Sequence, residues 1–291
     1  MLRSRKDWQS LLYLISLPPL VGYLWQYGTG SIVDVLLYGV LLFLTLGVGV
    51  INHNHAHLRI WQNQRLNRIT DVWITLLQGH PTFVFYPAHT GNHHRYHHGP
   101  QDVARTYRFG GDTNHLLGYL LHPLQAGIVL YPMIWRWLMQ IRQRHASVFF
   151  YFLRQYIAVT LLWSLLGWLN WQKFLLLILI PQLHGLHWLL ATNYLQHAHA
   201  DGSSSTDFAR NFEGWVNPLL FNIGLHTAHH RHPRAHWSQL GALHQHYRSQ
   251  VSPQLNAGPL LPYMFRTFII SLLRPRWRSR SLMQPWEKNA N

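Results

Sequence analysis

Residues 31–57 read SIVDVLLYGVLLFLTLGVGVINHNHAH. Between Ser31 and Ile51 the only charge is Asp34, near the start, where an interfacial carboxylate is tolerated. The run is long enough to cross a bilayer as a helix, and it passes unbroken into three histidines. Continued as helix, His53 and His57 lie one turn apart on one side, because residues four apart share a helix face. His55 then points elsewhere. An apolar span that delivers paired imidazoles to a membrane surface points to both a fold class and a chemistry.

Working outward, Arg3, Arg5 and Lys6 precede an uncharged run, Trp8–Tyr27, broken by Pro18 and Pro19. No small-residue cleavage site follows it, which argues against a signal peptide. The Gly28–Gly30 turn joins it to the quoted segment, so residue 52 returns to the side of residue 1. The basic residues place that side in the cytosol. Val148–Leu169 and Phe174–Tyr194 form a second such pair around the turn Asn170–Lys173. The expectation is an all-α protein with one domain over residues 1–291. Four transmembrane helices (about 8–27, 31–51, 148–169 and 174–194) form two hairpins, and a cytosolic helical cap carries the histidines. Three other apolar stretches are read as not crossing. Val72–Tyr86 is broken by Gly79, His80 and Pro81. Leu116–Met139, interrupted by His122, Pro123 and Pro132, is read as amphipathic or partly inserted. Leu260–Leu273, followed by Arg274, Arg276, Arg278 and Arg280, suits an interfacial helix on anionic lipid.

The chain has 23 His against nine acidic residues, no Cys and a formal charge of +15. Without Cys there is no disulfide framework and no thiolate-held cluster. On a soluble protein the charge would suggest nucleic acid. No nucleic-acid motif accompanies it, and the Lys and Arg flank apolar runs, which fits cytosolic loops and lipid headgroups.

The histidines recur in spaced groups. Residues 89–98 read HTGNHHRYHH. Within them, His94, His97 and His98 make a His-x-x-His-His pattern in which the adjacent pair diverges by about 100° on a helix, as ligands of two different ions would. His89 and His93 form a further pair four apart that is ligand, supporting residue or neither. His226, His229 and His230 repeat the His-x-x-His-His spacing, and Asn193 and His197 close the last span. His184 and His187, deeper in that span, are read as cavity-lining polar residues. His232, His236, His244 and His246 are read as loop residues. Imidazole suits Zn, Cu, Fe or Ni. No His-Glu-x-x-His occurs, and neither Glu213 nor Glu287 sits in a Glu-x-x-His motif, which excludes the common zinc-protease and carboxylate di-iron patterns. A two-metal site here is nearly all nitrogen.

These motifs, spread over about residues 30–245, resemble the membrane fatty acid desaturase and hydroxylase superfamily, with its three histidine boxes. The resemblance implies two iron ions held by His53, His57, His94, His97, His98, His197, His226, His229 and His230, with Asn193 acting through a water. His55, His89 and His93 are further candidates, and Asp102, Asp201 and Asp207 are carboxylates placed in sequence to support ligand imidazoles. It implies O2 as co-substrate, a lipid substrate, and fatty acyl desaturation as the reaction. A hydroxylase or ketolase acting on a carotenoid, sterol or alkane is the alternative. A non-catalytic metal carrier would explain the histidines but not the repeated boxes beside Asn193 and His197. With no Cys, no Gly-x-Gly-x-x-Gly and no haem-binding domain, electrons are expected from an external donor, a ferredoxin or a cytochrome b5-like protein. The expected setting is a bacterial inner membrane ahead of the endoplasmic reticulum, with the boxes cytosolic.

Overall fold

The computed structural model describes residues 1–283, so Glu287 lies outside it. The chain is all-α, as expected, apart from two short strands. The main helices are α1 (Trp8–Tyr27), α2 (Ile32–His57), α3 (Gln64–Gln78), α4 (Leu116–Arg144), α5 (Ala146–Leu169), α6 (Trp171–His197), α7 (His226–Arg231), α8 (Leu240–Tyr247) and α9 (Leu260–Leu273). Among the described residues, α2, α4, α5 and α6 are long and apolar enough to cross a membrane, which fits a multi-pass membrane protein. The expected spans 148–169 and 174–194 fall within α5 and α6, and 31–51 matches α2 from its N-cap Ser31 onward. α1 is a 20-residue helix but is not among the four. α4, read from sequence as amphipathic or partly inserted, instead runs unbroken for 29 residues through Pro123 and Pro132. Lipid-facing helices tolerate proline when neighbouring groups take up the freed carbonyls.

The chain divides into two compact units. The first comprises residues 1–85 and 136–189. Here α2 starts at a capping box, in which Ser31 Oγ accepts from the Asp34 N–H and the Asp34 carboxylate accepts from the Ser31 N–H. Each partner satisfies a backbone or side-chain group that a helix start otherwise leaves open. α1 lies along α2 closely enough that a Cβ on Gly47 would run into the Tyr13 ring. Gly185 of α6 likewise meets the Thr45 backbone of α2. Small residues at such points let helices approach where lipid offers no hydrophobic drive. The N-terminal strand-like residues close on the end of α2, with the Arg3 N–H donating to the Ile60 carbonyl at 2.8 Å. α3 begins at Asn63, whose side chain accepts from two backbone N–H groups, and ends at Gly79 in a left-handed conformation (φ 74°). Its buried face carries Asn67, Thr70, Asp71, Ile74, Thr75 and Gln78, and Asn67, Thr70, Asp71 and Thr75 are paired inside the unit. Thr75 donates to Gln155 Oε1 at 3.1 Å, and the Thr82 N–H donates to the same oxygen at 2.9 Å.

The second unit comprises residues 86–135 and 190–291. It opens with a π-wound turn, Tyr86–His93, that runs into a short helical turn, His94–Tyr96. His97 and His98 then take positive φ (43° and 68°) and end the helix. Strands β1 (Asn211–Glu213) and β2 (Asn256–Pro259) pair in parallel. α7 packs on α8, with Leu225, Ala228 and Leu240 buried between them. Arg210 is fully buried and donates to the carbonyls of Leu195 and Ala198 at 2.7 and 3.0 Å. A cation on the open carbonyls at a helix C-terminus is favoured by the helix dipole, and here it fixes the end of α6.

Candidate metal centre

In the first unit, α2 delivers His53 and His57 to one side, as their spacing predicts, with ring centroids 5.1 Å apart. His55 faces another way. Its Nδ1 accepts from the Ile60 N–H at 3.2 Å, and its Nε2 lies 3.4 Å from Asp71 Oδ1. Asp71 also takes Arg59 at 2.6 Å and the Tyr151 hydroxyl at 2.7 Å. Burial alone would raise the Asp71 carboxyl, but the His55 hydrogen bond and the Arg59 charge outweigh it and hold it below its usual range. The middle histidine therefore serves α2–α3 packing.

In the second unit, His93, His197, His226 and His230 bring four ring nitrogens within 4.8 Å of one another, and all four residues are buried. His226 Nε2 is 3.0 Å from both His197 Nε2 and His230 Nε2. Two of the tautomers are fixed by their outer partners. His197 Nδ1 faces the Phe208 carbonyl at 2.8 Å, an acceptor only, so that nitrogen carries the proton. His93 Nδ1 donates to Asp102 Oδ2 at 2.6 Å. Their Nε2 lone pairs are thus turned inward. Such outer-shell bonds orient metal-ligating imidazoles and raise their basicity. Asp102 is fully buried and also accepts from the N–H groups of His98 and Ala104. Burial pushes the His230 imidazole well down, and neighbouring histidines push it further, which keeps it neutral. Neutral imidazole is the ligand form.

A second group in the same unit joins His89, His94 and His229. His94 Nε2 lies 3.0 Å from both His89 Nε2 and His229 Nε2. The two groups interleave through adjacent residues: His93 and His94 point to different groups, and so do His229 and His230. On α7, adjacent His229 and His230 diverge by about 100°, so His230 meets His226 while His229 meets His94. In the box before it, the π winding does the same job. Its hydrogen bonds run five residues back, so His89 and His94 come onto one side.

Two expected residues fall outside both groups. His97 is half-buried and stacks on Phe208 with centroids 5.1 Å apart. His98 is fully buried beside Tyr107 and His197, and burial pushes it down to about 4. Both lie past the helix break and wall the site. His89 and His93, left open in the sequence reading, stand inside it. Asn193 donates to the Ala104 carbonyl at 2.7 Å, and its amide nitrogen lies 3.1 Å from His122 Nε2. Of the three candidate supporting carboxylates, only Asp102 bonds a clustered histidine. Asp201 caps its own turn through Ser203 (2.9 Å), and Asp207 accepts from the Ser252 N–H (2.7 Å). The Phe208 carbonyl carries no sequence signal as a supporting group.

Four buried imidazoles whose ring nitrogens converge within 4.8 Å are a donor set that fits a metal ion. A search among curated proteins finds no match. The Fatty acid desaturase family matches residues 29–257, well over half of the chain. Histidines gathered in this way, on a chain with four apolar helices and that match, make the protein a member of the fatty acid desaturase family.

Proposed function

We propose that the protein holds two iron ions and uses O2 to desaturate a fatty acyl chain. The observation that carries the reading is the pair of interleaved histidine groups. His93, His197, His226 and His230 are assigned to one ion. His89, His94 and His229 are assigned to the other, and the His53/His57 pair is added to the ligand set on its sequence spacing. Asn193, with its amide nitrogen on Ala104, keeps its oxygen for a water-mediated role.

Bound iron would supply O2 activation and the power to take hydrogen from an unactivated methylene. The protein's own part is to hold the imidazoles neutral and aimed. Asp102 fixes the tautomer of His93, and the Phe208 carbonyl fixes that of His197. His98, Tyr107 and Phe208 crowd the rings and exclude water. Overall, O2, two electrons and two protons plus a –CH2–CH2– unit give –CH=CH– and two waters. The electrons come from an external acidic carrier of the ferredoxin or cytochrome b5 kind. The test is expression in a host, iron analysis of the purified protein and lipid profiling by mass spectrometry, with His229→Ala as the inactive control. Two irons per chain and an acyl product two hydrogens lighter are expected. A product that gains oxygen would move the assignment to a hydroxylase, and a metal-loaded protein that never consumes reductant and O2 would sink it.

A further inference from the structure

The second unit contains a cavity of about 410 Å3 far along the sequence from the histidine boxes, lined by residues that include Tyr263, Arg266, Arg276, Trp277, Arg278 and Arg280. Four arginines share it, and no carboxylate lines it. None of the four is in an ion pair among the described residues. The nearby carboxylates are engaged elsewhere: Asp112 with the His199 N–H, Glu213 with His244 and Arg248. The cavity is also held in shape. Arg266 lies 5.7 Å from the Tyr263 ring and 5.5 Å from the Trp277 ring, and Arg276 lies 5.7 Å from Trp277. Aromatic faces of this kind orient guanidinium groups while leaving their N–H forks open. Behind them Asn114 donates to both the Tyr263 hydroxyl (2.7 Å) and Ser279 Oγ (2.8 Å).

One wall of the cavity belongs to α9, whose two faces differ. Tyr263, Thr267, Phe268 and Ser271 are buried, whereas Leu261, Phe265, Ile269, Leu272 and Leu273 are exposed by 43–86%. An apolar stripe beside unpaired arginines matches the interface of an anionic bilayer, where acyl chains and phosphates lie at adjacent depths. We propose that the cavity binds the phosphate of an anionic phospholipid headgroup, with the exposed stripe of α9 lying among that lipid's acyl chains. Forked arginine donors are the residues suited to a phosphate. The inference stands apart from the proposed oxidation.

The experiment uses full-length protein in detergent, incubated with equal amounts of dihexanoyl phosphatidylglycerol and dihexanoyl phosphatidylcholine. Bound lipid is read by native mass spectrometry. The wild type retains the anionic lipid preferentially. Removing exposed arginines in R278Q and R278Q/R280Q lowers that retention about fivefold per residue, with metal content and melting temperature unchanged. R266Q lowers it as well; should R266Q fail to fold, the exposed pair still decides the matter. Equal retention by R278Q/R280Q and wild type overturns the proposal. So does displacement of the lipid by coenzyme A or inorganic phosphate at equal concentration, which would give the cavity to a soluble phosphate.

Discussion

At the scale of single residues, the candidate centre depends on two kinds of histidine partner, and substitution separates them. Asp102 touches no ion in the proposed assignment but fixes the proton of His93 and the turn that carries His98. Asp102→Asn should keep the fold's shape while losing the negative acceptor, and metal affinity should fall about 10–100-fold. Metal titration by competing chelator checks this, and unchanged affinity would remove Asp102 from the site. His55 is the reverse case. Its ring bridges the Ile60 N–H and Asp71, so His55→Ala should cost about 1–3 kcal/mol of stability by stranding buried polar groups, with metal content retained. A melting curve beside an iron assay decides between support and ligation. Asp71 adds a pH signature. Its carboxyl is depressed in the folded protein, so its stabilisation is present above the ordinary carboxylate value of about 3.9 and is lost as pH falls through the lower folded value. Asp71→Asn should therefore flatten the acid limb of the stability profile below about pH 4 relative to wild type; identical acid limbs would count against it. The same residues show how much of the site was legible. His226, His229 and His230 and the His53/His57 pair were readable because α-helical spacing holds there. In the middle box the structure brings His89, His93 and His94 into the two groups and leaves His97 and His98 outside them, a split that 3.6 residues per turn does not reveal, because the backbone is π-wound and then breaks at two left-handed residues.

At the scale of elements, the apolar helices pose a parity question. His93 and His98 lie against His197 in one unit, with ring centroids 4.8 and 5.2 Å apart. The chain between residues 98 and 197 must then cross the membrane an even number of times. Three helices in that interval, α4, α5 and α6, are long and apolar enough to cross, so a topology with both boxes at one membrane face, as proposed, has one of them stop short. α4 is the one interrupted by His122, Pro123 and Pro132, and it ends among Trp135, Arg136, Trp137, Arg142 and Arg144, residues suited to an interface. The sequence reading of this stretch as partly inserted used the same residues. Where the structure differs is in continuity: the helix runs through both prolines. The protein has no cysteine, so single-cysteine variants Q101C, S147C and S205C can be labelled from one side with an impermeant maleimide. All three should react from the same side. Opposite labelling of Q101C and S147C would show that α4 crosses and would require α5 or α6 to stop short.

At the scale of the whole molecule, charge is the property that outlasts every local detail. Lys and Arg outnumber Asp and Glu by 24 to nine. Several of the carboxylates are engaged locally: Asp71 by Arg59, Asp102 by His93, Asp112 by His199, Asp34 by its helix cap. The excess of basic residues beside apolar helices suits the anionic lipid proposed for α9 and the acidic redox partner proposed for the reaction. The proposed reaction draws its electrons from such a partner. Long-range attraction accelerates encounter by about 10–1000-fold and weakens steeply once the screening length falls to about 10 Å near 0.1 M salt. Turnover supported by an acidic carrier protein should therefore drop by at least about tenfold between low and physiological ionic strength. Turnover supported by a small reductant such as dithionite should change little over the same range, because no oriented docking is involved. The comparison isolates docking from any effect of salt on the enzyme itself. A carrier-dependent rate that ignores ionic strength would mean that the positive surface serves the lipid alone, and that electrons enter through an uncharged contact.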